Sequence, residues 1–419
     1  MTPLLRSRRF FPVFVTQFCG ALNDNILKNA LVILVTYRSI TVFGIPPEQM
    51  VALAGGIFIL PFFLFSATAG QLADRHDKSR VIVWVKVSEV AIMVLATYGF
   101  LRPDFPALLV SLFLMGVHST FFGPLKYSIL PQHLHRGELV EGNAWIEAAT
   151  FLAILLGTIV GGVLVSIEGG PFWVSVALVI VAVVGLLASR MIPPAPSSEP
   201  NLKTQWNLVS PTLVMLKIIW QERFLFRLIL ANSWFWYFGA TVLSLFPLLG
   251  KNVVHTDEGV VTLFLAIFSV GVGLGSILCG WLSHHKATVT LSARGLIGMS
   301  VFAVVVYLGI LPLSISPASV GLGAFFAREG APMLVMGLLG LSVSGGVFIV
   351  PLYTLIQERS NPAMRSRIIA GNNIVNAIFM VAAALVLAAL LKQGFAVPSI
   401  FLLLAAANAI SLLFLFRIE

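Results

Sequence analysis

Apolar runs of about 20 residues recur along the whole chain, and no other feature constrains its fold as tightly. A hydrocarbon core about 30 Å thick is crossed by about 20 residues of a helix rising about 1.5 Å per residue. Cut at charged or Pro/Gly-rich breaks, the 419-residue sequence yields twelve such runs. They lie near 10–37, 50–73, 80–101, 105–130, 140–167 and 171–192, and then near 223–250, 257–284, 288–312, 331–357, 366–393 and 396–417. Only 10% of the residues are charged, against about 25% in soluble domains. That is too little to clothe a water-facing surface, so the solvent has to be lipid. The expected fold is an all-α membrane protein of twelve transmembrane helices.

The runs fall into two sets of six. Residues 1–192 form the first set and 223–419 the second. Between them lies 193–222, which opens on the Pro/Ser-rich stretch Pro193–Pro200 and continues through Trp206, Lys217 and Trp220. It reads as a cytosolic linker with a short helix lying on the membrane face. The N-terminus carries Arg6, Arg8 and Arg9 before an apolar stretch, as a signal peptide does. No small-residue cleavage site follows, and Asn23, Asp24, Asn25 and Lys28 interrupt the run, so an uncleaved first span is expected.

With both ends cytosolic, eighteen of the 26 Lys and Arg residues fall in inside loops and tails, Arg417 among them. Five fall outside (Arg38, Arg102, Lys251, Arg328 and Lys392), and Lys28, Lys86 and Lys126 lie within spans. The excess favours this orientation over its inverse, and it accounts for the net charge of +9 without nucleic acid. Cys19 and Cys279 sit inside apolar runs, so neither a disulfide framework nor a metal site is expected. No cofactor is implied. No Ser/His/Asp set, metal cluster or nucleotide loop points to an enzyme. Gly271-Val272-Gly273-Leu274-Gly275 imitates a dinucleotide loop, but it lies inside a span, where small residues serve helix packing.

An internal repeat links the two sets. Pro124-Leu125-Lys126-Tyr127 is echoed 227 positions later by Pro351-Leu352-Tyr353, and Gly142-Asn143-Ala144-Trp145-Ile146-Glu147-Ala148 is echoed 229 positions later by Gly371-Asn372-Asn373-Ile374-Val375-Asn376-Ala377. Parallel six-span repeats are the pattern of the major facilitator architecture, with substrate held between halves near the midplane. The segment Gly70-Gln71-Leu72-Ala73-Asp74-Arg75-His76-Asp77-Lys78-Ser79-Arg80 closely resembles the loop signature of that superfamily. It departs where Asp77, Lys78 and Ser79 replace the glycine often found before the final basic pair. The resemblance implies a conformational latch at Gly70, Asp74, Arg75 and Arg80, with Asp74 bonding across to neighbouring helices in the outward-facing state. The physical sense is that Gly70 permits close approach and Asp74 can meet helix N-terminal amides or an arginine. Gly280-Trp281-Leu282-Ser283, before His284-His285-Lys286, is its weak counterpart.

Three further stretches are similar to the bacterial lysophospholipid transporter (LplT-like) family: Gln17-Phe18-Cys19-Gly20-Ala21-Leu22-Asn23-Asp24-Asn25, Pro124-Leu125-Lys126-Tyr127-Ser128-Ile129-Leu130 and Gly142–Ala148. The resemblance implies a multi-pass protein of the bacterial inner membrane, and a monomer is expected. It would flip lysophospholipid, chiefly lysophosphatidylethanolamine, from the outer to the inner leaflet, where a functionally coupled acyltransferase restores the missing chain. No acyltransferase is expected within this chain.

An ionisable side chain near the bilayer centre costs at least about 2.5–3.5 kcal/mol on insertion scales, so each needs a reason. Asp24 and Lys28 share one face of the first span. They either pair locally, with Lys28 snorkelling outward, or place an acid and a base in a cavity. Lys126 and His118 share a face of the fourth span. Lys126 can snorkel or line the cavity, and His118 can bond a backbone carbonyl or serve substrate or proton. Asn143 and Glu147 on the fifth span, and Asn372 and Asn376 on the eleventh, suit helix-packing hydrogen bonds, although Glu147 wants a cation and Lys126 lies at similar depth. Lys86 and Glu89 pair locally and are set aside. Asn232, Trp234, Trp236 and Tyr237 give the seventh span a polar-aromatic face, the tryptophans being expected in a lipid-facing belt.

The candidate substrate-binding set is therefore Asp24, Asn25, Lys28, His118, Lys126, Asn143, Glu147, Asn232, Asn372 and Asn376. A lysophospholipid phosphate would find cations and donors at Lys126, Asn143 and Lys28, its ammonium a carboxylate at Asp24 or Glu147, and its tail the nearly uncharged second half. The alternative is a proton-coupled exporter of amphiphilic drugs using Asp24 and His118 as its titrating pair. A lipid-binding receptor would bind without flux.

Overall fold

The computed structural model describes residues 2–37, 47–313 and 320–416; Arg38 and Arg417 lie outside them. Among the described residues, twelve long apolar helices run in chain order: α1 (Phe11–Tyr37), α2 (Pro47–Arg75), α3 (Lys78–Leu101), α4 (Phe105–Ser128), α5 (Leu139–Ser166), α6 (Gly170–Ser189), α7 (Arg223–Leu248), α8 (Glu258–Leu282), α9 (Val289–Ile310), α10 (Ala331–Arg359), α11 (Arg365–Lys392) and α12 (Val397–Phe416). Among the described residues, the first eleven are long and apolar enough to cross a bilayer, and α12 is apolar from Val397 to Leu413. The expected all-α membrane architecture is what forms.

Short polar side chains start several helices. Asp77, Asp104, Asp257 and Thr288 accept from the amides of Arg80, Ala107, Val260 and Leu291, respectively, capping α3, α4, α8 and α9. The repeat seen in the sequence has a structural echo. Pro124 and Pro351 both lie inside their helices, α4 and α10, and 3-10 turns at Arg136–Glu138 and Pro362–Met364 lead into α5 and α11. Arg9 fixes the start of the chain, donating to both carboxylate oxygens of Glu138 at 2.6 and 2.5 Å.

Packing divides the chain into two compact units. The first comprises Met1–Gly142, Leu152–Gln221 and Gln357–Ile374; the second comprises Asn143–Phe151, Glu222–Ile356 and Val375–Glu419. In the first, α2 packs on α4, α3 on α4 and α6, and α1 on α6. Its core is mainly aliphatic, with Leu27 and Leu31 of α1, Met93 and Phe100 of α3, Leu108, Leu112 and Met115 of α4, and Leu178 and Ala182 of α6. The linker as far as Gln221 belongs to this unit, and its helix Ser210–Gln221 buries Pro211, Met215 and Ile219 on one face. Met215 and Ile219 meet Gly371 at the start of α11. Leu213, Val214 and Trp220 remain exposed, which suits a helix lying on a membrane face.

The second unit is built on aromatic contacts. Phe151 meets Phe235 and Phe268 with centroids 6.0 and 6.2 Å apart, and the ladder continues from Phe268 through Phe246 and Phe264 to Phe325 in steps of 5.8 to 6.0 Å. Side chains added at Gly271 and Gly275 would strike Ser342 and Val343 of α10. The glycine run of α8 is therefore a helix-packing surface, as its place in an apolar span implied.

Candidate functional site

The polar face of α1 carries the first half of the site. Asp24 is half-buried, and Ser119 of α4 donates its hydroxyl to both carboxylate oxygens, at 3.0 Å to Oδ1 and 2.8 Å to Oδ2. The local Asp24–Lys28 pair weighed from the sequence is not the contact formed. Lys28, also half-buried, donates to Asn25 Oδ1 at 3.3 Å, and Asn25 donates to the Ala21 carbonyl of its own helix. Lys28 reaches Asn25, three positions back, while Asp24, four positions back, is turned to α4. Lys126 is half-buried near the end of α4, with its ammonium 4.8 Å from the Tyr127 ring centroid.

His118 departs from its expectation. Neither a backbone carbonyl nor Asp24 faces it; Nε2 lies 3.2 Å from Glu89 Oε2, and the ring stacks on Phe122 at an interplanar angle of 6°. Lys86 and Glu89, set aside as a local pair, do pair at 2.5 Å. Their pairing is nevertheless only part of a larger arrangement, because Asn23 donates to Glu89 Oε1 at 2.8 Å. Lys86, Glu89 and Asn23 are 0% exposed and His118 2%. Sequence reasoning missed this cluster, since an i,i+3 ion pair looks self-sufficient until its neighbours are known.

The remaining candidates divide between the units. Asn372, fully buried, falls in the first; Asn143, Glu147, Asn232 and Asn376, also buried, fall in the second. Asn143 donates to Thr354 at 3.1 Å, and Asn376 accepts from Ser233 at 2.7 Å, so both make the helix-packing bonds expected of them. Glu147 and Lys126 belong to different units. The tryptophans of α7 do not form the expected lipid-facing belt. Trp234 donates to Asn408 at 2.8 Å and Trp236 to the Tyr353 hydroxyl at 3.2 Å, and Trp234 stacks on Tyr237 at 5.0 Å. An indole N–H has no acceptor in hydrocarbon, so it turns to one inside the protein.

The signature loop gathers at the end of α2. Asp74 is fully buried and takes three donors from the start of α11: the Ser366 amide at 3.0 Å, the Arg367 amide at 3.2 Å and the Arg367 guanidinium Nε at 3.0 Å. A carboxylate at a helix N-terminus satisfies amides that have no partner within the helix. Gly70 makes the approach possible, because a Cβ there would sit 2.8 Å from Arg367 Cα and 2.9 Å from Ala370 Cβ. The other two latch candidates point away. Arg75 is exposed and donates to Thr204 of the linker, and the Arg80 side chain is exposed. Partners that the sequence did not single out complete the tie. Arg367 also reaches Glu199 at 2.5 Å, the Asp74 carbonyl accepts from the Ser198 and Glu199 amides, and the nearly fully buried Lys78 donates to Ser198 at 2.9 Å. Burial raises the Asp77 carboxyl, but hydrogen bonds from Ser79 and the Arg80 amide outweigh it and hold the group below the usual carboxylate range.

A chain with many bilayer-length apolar helices that keeps acids and bases within them has the build of a membrane transporter. It belongs to the Major Facilitator Superfamily, whose family model matches residues 13–327. It is 28% identical over 362 residues to the lysophospholipid transporter LplT of Enterobacter sp. (strain 638), covering 85% of this chain and 81% of that one. Against the protein of the same name from Escherichia coli O1:K1 it is 28% identical over 367 residues, with 86% and 83% covered. Among solved structures, the human organic anion transporter MFSD10 superposes with a TM-score of 0.76 at 15% identity, covering 97% of this chain and 99% of that chain. The transporter FucP in its outward conformation gives 0.74 at 12% identity, covering 98% of each chain. At such identities the two structures share the fold alone.

Proposed function

We propose that this chain carries lysophospholipids of the lysophosphatidylethanolamine type from the outer to the inner leaflet of a bacterial inner membrane, for re-acylation there. It does so by alternating access of two six-helix halves, 1–192 and 223–419, joined by the linker 193–222, with both termini cytosolic. The observation that carries the reading is the half-buried carboxylate of Asp24, oriented by Ser119 and one turn from the half-buried Lys28. A zwitterionic headgroup needs an anion and a cation within one span of its own length, and α1 offers both. Lys126 adds a second cation for the phosphate. The similarity to relatives named lysophospholipid transporter over most of the chain supports the same substrate class.

The competing reading, a proton-coupled exporter of amphiphilic drugs, needs Asp24 and His118 to titrate together. Their contacts argue against it: His118 meets Glu89, while Asp24 meets Ser119. In proteoliposomes, labelled lysophosphatidylethanolamine is expected to cross, and to cross far more slowly with Asp24→Asn or Lys126→Ala. Absence of flux, or flux indifferent to both substitutions, would remove this reading.

A further inference from the structure

Glu89 sits at the centre of the buried cluster described above, yet nothing so far gives it a role. Its carboxylate takes hydrogen bonds from Lys86 on α3 itself and Asn23 on α1, and lies 3.2 Å from His118 Nε2 on α4, so residues of three helices meet on it. Asn23 also donates to the Leu178 carbonyl at 3.2 Å, which brings in α6. The fit is close on the α1 side. A Cβ at Gly20 would lie 2.7 Å from Lys86 Nζ, so any larger residue there would displace the ammonium.

The next residue along each of two helices carries the proposed headgroup contact. Asp24 follows Asn23 on α1, and Ser119 follows His118 on α4. Successive helical side chains point about 100° apart, so where Asn23 and His118 meet Glu89, Asp24 and Ser119 are turned aside and meet each other. Holding Asn23 and His118 on a common carboxylate therefore fixes both the rotation and the height of α1 against α4. Those are the two variables that decide whether Ser119 reaches Asp24.

We infer that Glu89, acting through Asn23 and His118, is the positioning residue for Asp24, setting its carboxylate where a cationic headgroup is received. This inference rests on the headgroup reading proposed above. Glu89 touches no substrate; it acts on the geometry of the residue that does.

The test is a mutant cycle on the full chain in proteoliposomes, with labelled lysophosphatidylethanolamine as probe. Asn23→Ala releases α1 from the cluster without changing its charge. The double variant Lys86→Met with Glu89→Gln removes the carboxylate without leaving its ammonium unpaired. Each is expected to raise KM about tenfold with kcat held within about twofold, the scale on which outer supporting contacts act. Asp24→Asn should also raise KM, and adding Asn23→Ala or the double variant to it should bring no further rise, since the effect travels through Asp24. A merely structural cluster would instead lower kcat at unchanged KM, or add its effect to that of Asp24→Asn; either outcome overturns the inference, as does an unchanged KM. Should the double variant not fold, Asn23→Ala alone decides the matter. If Asp24→Asn raises KM and the cluster variants do not, the inference fails while the headgroup reading stands. If Asp24→Asn leaves KM unchanged, the headgroup reading fails first.

Discussion

Replacing Asp74 with asparagine should loosen the tie between α2 and α11 by a calculable amount. The carboxylate accepts three N–H groups, two of them backbone amides and one a guanidinium Nε. Hydrogen bonds to a charged group are worth about 1.5–3 kcal/mol each in net terms. Asparagine keeps one acceptor oxygen of the same shape and turns an NH2 toward donors, so at least one bond is lost and a second is opposed. A loss of about 3 kcal/mol is expected, which raises the population of the opened tie about a hundredfold, each 1.4 kcal/mol being a factor of about ten. Ser366→Cys provides the reporter, because that position is 0% exposed and bonds Ser128 at 2.9 Å. The two native cysteines, Cys19 and Cys279, are buried and should contribute little background. Maleimide labelling of Ser366→Cys in membranes should therefore quicken about a hundredfold when Asp74→Asn is added, on the same arithmetic. Ser175→Cys on α6, also buried, should label no faster. An unchanged rate at Ser366→Cys would refute the latch geometry, and an equal rise at Ser175→Cys would mean that the unit has unfolded.

Two further substitutions follow from close contacts. Gly70→Ala places a methyl 2.8 Å from the Arg367 backbone; overpacking of this kind costs about 1–3 kcal/mol, and labelling of Ser366→Cys should rise in step, whereas no change would show that the helices can part freely. Trp234→Phe removes the 2.8 Å bond to the fully buried Asn408. It should lower stability by about 1–3 kcal/mol in thermal unfolding in detergent, and an unshifted transition would return Trp234 to the lipid-facing belt.

The fold was legible because the property that defines it is written in one dimension. A span needs only length and apolarity, and both can be counted along the chain, so twelve runs became twelve helices with ends shifted by a few residues. The signature loop was legible through its resemblance to the superfamily's, which implied that Asp74 bonds across to a neighbouring helix; a carboxylate four positions after a close-packing glycine suits the free amides of a helix N-terminus. Its partners were less visible. Ser366 and Arg367 lie almost 300 residues away in sequence, and nothing local marks one basic residue of a loop as the arginine that turns inward while Arg75 and Arg80 turn out.

The buried cluster shows why charge bookkeeping within one helix misleads. Lys86 and Glu89 cancel as an i,i+3 pair, and on that ground neither demands an explanation. Yet a carboxylate sealed from water has more acceptor sites than one ammonium can fill, and the remainder must be met from other helices. Depth along the helices supplies the missing signal. Asn23 lies twelve residues from Phe11, Glu89 eleven from Lys78 and His118 ten from Ser128. In consecutive up-and-down spans those helix ends share one side of the bundle, so at about 1.5 Å per residue the three side chains sit within about 3 Å of one level. A buried asparagine, a lone buried histidine and a locally paired glutamate at equal depth on three neighbouring spans amount to one cluster, because each supplies what the others lack. The same rule separates Asp24 from Asn23: adjacent in sequence and nearly equal in depth, they differ in the face they present, Asn23 fully buried on Glu89 and Asp24 half-buried against Ser119.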